Sequence, residues 1–234
     1  MRALAAIKAD MLFQYRHGFY AVYFLITVFY IVLLRLLPPE PGTFLAPVLL
    51  FTDPAVLGFF FVGGLVLFER KQNLLEGFLV TPLRPGEYLL AKALSLSLIS
   101  LGTSLAIAWL GVRVPFNPLL LLTGVSLTAP IFTLVGFTLA VRSRTLNSFI
   151  LVSFLLTPVF VFPLAEYFGL FTHPLLYLAP GRGGMLLLVG SFRGISPTDA
   201  ALSTLSLAFW VVLAFLWAKK SFYRYVVERG MVSW

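Results

Sequence analysis

Long apolar runs are the feature that most limits what this chain can fold into. A helix needs about 20 apolar residues to cross the ~30 Å hydrocarbon layer of a bilayer. Backbone that faces lipid must satisfy its own hydrogen bonds, so runs of this length are expected to be helices. The sequence therefore predicts an all-α polytopic membrane protein, one domain over residues 1–234, with six transmembrane helices. The predicted spans are 19–37, 44–68, 88–112, 119–141, 149–170 and 198–218.

Composition and the placement of charge agree with this prediction. Hydrophobic residues make up 60% of the chain and charged residues 11%, whereas soluble domains carry roughly 25% charged residues. With the N-terminus inside, thirteen of the 17 lysines and arginines fall on the cytoplasmic side and four fall outside. This asymmetry predicts cytoplasmic N- and C-termini in the cytoplasmic membrane of a prokaryote. It also accounts for the net charge of +8, so no nucleic-acid partner is expected.

Residues 1–17 precede the first span and have the pattern of an amphipathic helix. Apolar side chains at helical spacing share one side, while Lys8, Asp10 and Gln14 lie elsewhere. Such a helix is expected to lie in the plane of the membrane interface. One interpretation gives this interfacial helix a contact with a cytoplasmic partner. The other treats it as an ordinary basic segment before the first span.

The predicted second span contains an acidic residue, Asp53, directly before Pro54. A polar residue followed by proline is a helix-start signal. We therefore expect a break, with a regular helix from Pro54 inward and a kinked or re-entrant stretch before it. Ionisable side chains at membrane depth usually face protein or water, which makes Asp53 a candidate residue of the transport path. It could instead pair with Arg35 or Arg113, or cap a helix near the outer surface.

The loop at residues 69–86 carries the most specific pattern in the chain. Four apolar side chains between Leu74 and Leu79 share one helical face, and Thr81-Pro82 ends that helix. The predicted helix is about 10 Å long at 1.5 Å per residue. A simple connector needs only a few residues. A short rigid helix between two spans would instead act as a lever that moves both of them.

This loop resembles the corresponding loop of the ABC-2 type permeases, which reads roughly E-R-x-x-G-T-L-E-x-L-L-x-T-P-L/V and continues with E-x-x-x-x-K. Here Asn73-Leu74 stands where that family usually has Gly-Thr, so the local turn is expected to differ. The six-span layout also agrees with that family. The positions that fit its loop pattern are Glu69, Arg70, Leu75, Glu76, Leu79, Thr81, Pro82, Leu83, Glu87 and Lys92.

In that family the loop forms a coupling helix that docks in a groove of the ATP-hydrolysing subunit, next to the N-terminal interfacial helix. The resemblance implies the same contact for this chain. Without it, Glu69 and Glu76 would be interpreted as solvated charges at helix ends. The residues that the resemblance assigns to coupling with the ATPase subunit are Glu69, Arg70, Leu75, Glu76, Phe78, Leu79, Thr81 and Pro82.

Residues 171–197, between the fifth and sixth predicted spans, are too apolar for a water-exposed loop. The stretch from Pro180 to Gly184 interrupts them, so they are also too irregular for one full span. Two short re-entrant or interfacial helices at the outer face fit this pattern. The resemblance implies the same arrangement, and it makes Tyr177 and Pro180 candidate residues of an outer gate.

The resemblance implies the permease subunit of an ATP-driven ABC exporter that moves a hydrophobic, drug- or lipid-like substrate outward. The chain contains no Walker A motif, the loop that cradles nucleotide phosphates. ATP and Mg²⁺ are therefore expected on a separate nucleotide-binding subunit, and no cofactor on this chain. A second copy or a paralogue would complete the membrane domain as a homo- or heterodimer.

Two other classes of membrane protein stay open. A solute-binding subunit of an energy-coupled importer is also small and multi-spanning, but it typically meets its partner through small-residue motifs on a transmembrane face. An intramembrane enzyme needs paired catalytic groups at membrane depth, for which Asp53 and Glu166 are the only candidates. The chain has no cysteine, and His17 and His173 form no metal-binding pattern, so no metal site is expected.

Overall fold

The computed structural model of the chain describes residues 2–72, 74, 84–170 and 179–227. These residues form nine α-helices, and no β-strand occurs in this described part, which confirms the predicted all-α class. Three π-helical segments, Asp53–Gly58, Ile107–Gly111 and Tyr223–Val227, continue helices into a wider turn. The α-helices are α1 Arg2–Arg16, α2 Phe19–Leu36, α3 Pro39–Thr52, α4 Phe59–Lys71, α5 Pro85–Ala106, α6 Pro118–Arg142, α7 Leu146–Tyr167, α8 Arg182–Arg193 and α9 Pro197–Phe222.

Five helical stretches in the described residues are long and apolar enough to cross a membrane. They are Phe19–Leu36, Pro85–Gly111, Pro118–Arg142, Leu146–Tyr167 and Pro197–Val226. Each one overlaps most of a predicted span: the first, third, fourth, fifth and sixth. The predicted second span, 44–68, is divided among α3, a π-helical segment and α4. The six-span count therefore stays a prediction.

The second span differs from the expected break at Pro54. The stretch before it, α3, is regular helix, and the irregular part is the π segment that begins at Asp53. Regular α-helix resumes only at Phe59, so the prediction of a regular helix from Pro54 inward was wrong, while a re-entrant placement of the preceding stretch stays a prediction. Proline has no N–H and its ring clashes with the carbonyl four residues earlier. A wider π turn is one way in which a helix absorbs such a residue without ending.

Helix α6 lies at the centre of the bundle. Of its apolar window 67% is buried, against 17% for α2, 20% for α7 and 17% for α9. Small residues allow this close packing: a Cβ added at Gly136 would stand 2.4 Å from the Phe59 carbonyl oxygen of α4. Helices α2, α7 and α9 therefore present most of their apolar surface outward, as spans that face lipid would.

Short helix α8 runs antiparallel to the first half of α6. The Asn117 N–H donates to the Ser191 carbonyl at 2.7 Å, and Gly184 packs against the side chain of Thr128. Thr128 lies eleven residues along α6 from Asn117, or about 16 Å. The second of the two predicted short helices is thus present, and its re-entrant placement in a bilayer stays a prediction. Residues 171–178, including Tyr177, lie outside the described residues.

Helix α1 has the predicted extent and packs on α5. Gly18, with φ of 77°, turns the chain from α1 into α2. A positive φ is readily adopted by glycine because it has no Cβ. The turn folds α1 back against the side of the bundle, and the polar side of α1 thereby meets α4 and α5. Its position relative to a membrane interface stays a prediction.

Candidate functional site

The two ends of the loop at 69–86 are joined by an ion pair. Glu69 lies in the last turn of α4, while Tyr88 and Lys92 lie in the first turns of α5. The Lys92 ammonium donates to Glu69 Oε1 at 2.5 Å, and the Tyr88 hydroxyl donates to the other carboxylate oxygen. Lys92 is 2% exposed and Glu69 8%. The pattern residues at the two ends of the loop are therefore buried together.

Helix α1 contributes the second carboxylate of this cluster. Lys92 also forms an ion pair with Asp10, and the Ser95 hydroxyl donates to the same carboxylate. The Gln14 amide donates to Asp10 Oδ2 at 2.7 Å and to Ser95 Oγ at 2.9 Å. One lysine on α5 thus holds α1 and α4 together. We call Asp10, Gln14, Glu69, Tyr88, Lys92 and Ser95 the loop-base cluster.

The stability of this cluster depends on the pairing of its buried charges. Two carboxylates and one ammonium have left water, and such a transfer is repaid only when the charges are well paired and hydrogen-bonded. The Lys92 ammonium is paired in two ways. It has both carboxylates as acceptors, and it lies 5.8 Å and 5.5 Å from the ring centroids of Phe13 and Tyr88, within cation–π range.

Arg70, the next residue of the pattern, binds a different helix. Its guanidinium donates to the carbonyls of Ser143 at 2.6 Å and Val141 at 2.8 Å. These carbonyls lie at the C-terminal end of α6, where helix carbonyls lack intrahelical donors. Arg70 therefore fastens the end of α4 to the end of α6.

A cavity of about 220 Å³ opens beside the loop-base cluster. It lies between α1, the start of the loop and α5, with Ala6, Ala9, Phe13, Leu74 and Ala91 among its lining residues. Its wall combines the edge of the ion-pair cluster with apolar side chains. It is a recess where α1 adjoins the described start of the loop.

The structure places only part of the predicted coupling set. Glu69 and Arg70 are described, and both carry out internal contacts that the sequence did not predict. Their contact with an ATPase stays a prediction. The sequence pattern did not predict the contribution of α1, because it indicates only that Asp10 and Gln14 lie away from the apolar side of that helix. The predicted coupling residues Leu75, Glu76, Phe78, Leu79, Thr81 and Pro82 lie outside the described residues.

Asp53 lies inside the bundle, at the start of the π segment. It is 1% exposed and accepts a hydrogen bond from the Thr103 hydroxyl of α5 at 2.9 Å. Arg35 donates instead to the Leu110 carbonyl at 2.5 Å, and Arg113 to the Arg35 carbonyl at 2.7 Å. The alternatives that paired Asp53 with an arginine or exposed it as a helix cap were therefore wrong. Its role in a transport path stays a prediction.

Glu166, the other candidate for intramembrane catalysis, has its own partner. Arg182 binds it with two nitrogens, Nε to Oε2 at 2.9 Å and Nη2 to Oε1 at 3.0 Å. Asp53 and Glu166 thus belong to separate contacts on different helices, which does not favour a catalytic pair. Among the described residues, no three His, Asp or Glu side chains gather into a metal-binding group.

The candidate gate residue Pro180 is buried and lines an apolar cavity of about 320 Å³. The wall comes from α6 and α9 and includes Ile131, Trp210 and Trp217. Cavities that take drug-sized ligands usually hold 300–1,000 Å³, roughly, and are lined by apolar and aromatic side chains. The volume and apolar lining of this cavity lie within that range, and a gating role of Pro180 stays a prediction.

Comparison with known proteins gives this architecture its family. Residues 1–230 match the sequence model of the fluoroquinolones export permease protein family. Two relatives, fluoroquinolones export permease proteins from two strains of Mycobacterium tuberculosis, are each 30% identical to this chain over 239 residues. Each alignment covers 99% of this chain and 99% of the relative. The chain therefore belongs to the fluoroquinolones export permease protein family and is the multi-pass permease subunit of an exporter.

Proposed function

We propose that this permease forms the membrane half of an ATP-driven exporter in the cytoplasmic membrane, with both termini cytoplasmic. A separate ABC ATPase subunit, which binds ATP and Mg²⁺, docks on the loop at 69–86. A second copy or a paralogue of the permease completes the path. The cargo is a fluoroquinolone-like drug that moves outward.

The loop-base cluster is the observation that carries this proposal. Lys92 binds Glu69 at one end of the loop and Asp10 of α1, while Arg70 binds the end of α6. A force applied to the loop would therefore move α1, α4 and α5 together instead of bending a flexible connector. The cavity beside the cluster adds a recess that a side chain of the docked ATPase could enter.

The relatives' names support the cargo. Fluoroquinolones are flat aromatic acids, and many carry a basic amine, so they are drug-like amphiphiles and not lipids. The apolar cavity with Trp210 and Trp217 offers the aromatic surface that such a ring system contacts. Of the two expected substrate classes, drug-like and lipid-like, this favours a drug-like substrate.

ATP-dependent uptake of ciprofloxacin into inside-out membrane vesicles tests the proposal. The vesicles contain the permease and its ABC ATPase partner, and the expected result is accumulation that needs ATP and both subunits. Ciprofloxacin accumulation that is the same with and without ATP would refute the ATP-driven mechanism. ATP-driven uptake into right-side-out vesicles instead would favour an importer, and ATP hydrolysis by the permease alone would contradict a separate motor.

Reversal of one loop charge tests the docking site. Glu76→Arg is expected to reduce copurification of the ATPase and ATP-dependent uptake at least tenfold while the amount of folded permease is unchanged. Glu40→Arg makes the same change at an exposed residue at the start of α3 and serves as the control. Full ATPase binding by the Glu76→Arg variant would show that the loop is not the docking site at this position.

A further inference from the structure

A buried carboxylate inside the bundle has no cationic partner. Asp53 is 1% exposed, and its hydrogen-bond partner is the uncharged Thr103 hydroxyl. The ion pairs of the described residues join Lys92 to Asp10 and Glu69 and Arg182 to Glu166, and none includes Asp53. An ionised carboxylate in a low-dielectric interior is strongly destabilised unless its charge is neutralised.

Buried hydroxyl groups lie beside this carboxylate or beside the π segment that it begins. Tyr23, Ser100 and Thr133 are each 1% exposed, and their hydroxyl oxygens have no hydrogen-bond partner. Tyr23 is close enough to Asp53 for an electrostatic interaction, and Ser100 lies close to both groups without a well-aligned hydrogen bond. Buried hydroxyls are normally satisfied, so this group of oxygens beside one carboxylate is available to a ligand.

The π segment brings these oxygens to one side of the second span. A Cβ added at Gly58 would stand 3.6 Å from the Thr133 hydroxyl and 4.0 Å from the Tyr23 hydroxyl. Hydroxyls from α2, α5 and α6 therefore converge on the segment Asp53–Gly58. π-helical turns are rare and occur frequently at functional sites.

The chemistry of the donors selects the ligand. Hydroxyl and carboxylate oxygens suit hard cations, whereas softer metals take thiolates and imidazoles. A single carboxylate balances one positive charge. A proton on Asp53 together with water is the competing occupant, and the experiment below distinguishes it from a cation.

We propose that Asp53 and the hydroxyls of Tyr23, Ser100 and Thr103 bind a sodium ion between the second and third spans, with Thr133 completing the site. Thr103 lies eleven residues along the helix from Lys92, about 16 Å. Sodium would therefore join these two spans at a second level, above the loop-base cluster. The proposal does not depend on the identity of the cargo or of the ATPase.

Sodium-specific stabilisation of the purified full-length permease tests this site. Thermal unfolding in detergent is measured in sodium, potassium and choline chloride at equal ionic strength and fixed pH. A ligand that binds only the folded state stabilises it progressively as its concentration exceeds Kd. Sodium is expected to raise the melting temperature above the value in potassium or choline, and radioactive sodium should bind to the wild-type protein.

Variants connect the effect to the proposed ligands. Asp53→Asn should abolish the sodium effect, and Tyr23→Phe and Ser100→Ala should each weaken sodium affinity about tenfold, the usual loss for one polar contact. Thr128→Val is the matched control, because its buried hydroxyl is also unsatisfied but lies against Gly184. It should keep the full effect.

The proposal fails if wild-type protein binds no radioactive sodium, or if potassium and choline stabilise it equally well. It also fails if removal of the Asp53 carboxylate changes only the dependence of stability on pH, which would indicate a proton site. If the Asp53→Asn variant does not fold, sodium binding by the wild-type, Tyr23→Phe and Thr128→Val proteins decides the question.

Discussion

Replacement of Lys92 by methionine removes the only positive charge of the loop-base cluster while keeping a side chain of similar length. The ammonium is 2% exposed and is paired with two carboxylates, Asp10 at 7% exposure and Glu69 at 8%. Without it, two negative charges would stay close together in a buried place. Removal of one partner from a buried ion pair costs about 3–5 kcal/mol, and we expect the free energy of unfolding to fall by that amount.

Unfolding of the purified permease by denaturant, followed by tryptophan fluorescence, measures this loss. Lys219→Met is the matched control, since it removes an exposed lysine from the last turn of α9 and should change little. Trypsin provides a local readout. Release of α1 from α5 should speed cleavage at Arg16, which is exposed at the C-terminal end of α1.

A combined variant separates the charge effect from a change of shape. If the loss comes from two unpaired carboxylates, Asp10→Asn and Glu69→Gln added to Lys92→Met should restore at least half of it. Neutralising all partners of a buried ion pair is often close to neutral, whereas removing one partner is not. A Lys92→Met protein within about 1 kcal/mol of wild type would refute the assignment of this cluster as a buried, charge-paired anchor.

Two further substitutions test helix packing and the ion pair between Arg182 and Glu166. Gly136→Ala should destabilise the permease by about 1–3 kcal/mol through overpacking, because the new Cβ would stand 2.4 Å from a carbonyl oxygen of α4. Gly102→Ala is the control, because its Cβ would meet nothing within 4 Å. This variant should be neutral or slightly stabilising in the same unfolding assay. Arg182→Lys should lower the melting temperature because lysine cannot bind both oxygens of Glu166. A Glu166→Asp variant, which keeps a carboxylate, is the control. Equal melting temperatures for wild type and Arg182→Lys would contradict the two-point contact.

The membrane-spanning helices could be predicted from the sequence because their signal is local. A span needs only a long apolar run, so the predicted 119–141 agrees with α6 at Pro118–Arg142. In the second span the local sequence signal is not sufficient. Proline at position 54 predicts an irregularity, but whether a helix breaks or widens there depends on packing against α5 and α6. Those neighbours are distant in sequence, so the wider turn was not foreseen.

The loop-base cluster could also be predicted from the sequence only in part. Glu69 and Lys92 fit a pattern that the sequence displays, so their importance could be predicted, but their pairing could not. Asp10 meets Lys92 across 82 positions of sequence. On an isolated amphipathic helix, a polar residue away from the apolar side is normally solvated. Only the return of α1 against α5 turns Asp10 and Gln14 into buried partners.

The contacts of Glu69 and Arg70 change how mutations in this loop should be interpreted. These neighbours point about 100° apart on the helix, so Glu69 reaches α5 while Arg70 reaches the end of α6. Both side chains hold the start of the loop in place. A substitution at either position would displace the loop even if neither residue touched an ATPase. Loss of ATPase binding in such a variant would therefore not identify a contact. A contact is better tested at Glu76, which lies beyond these anchors along the loop.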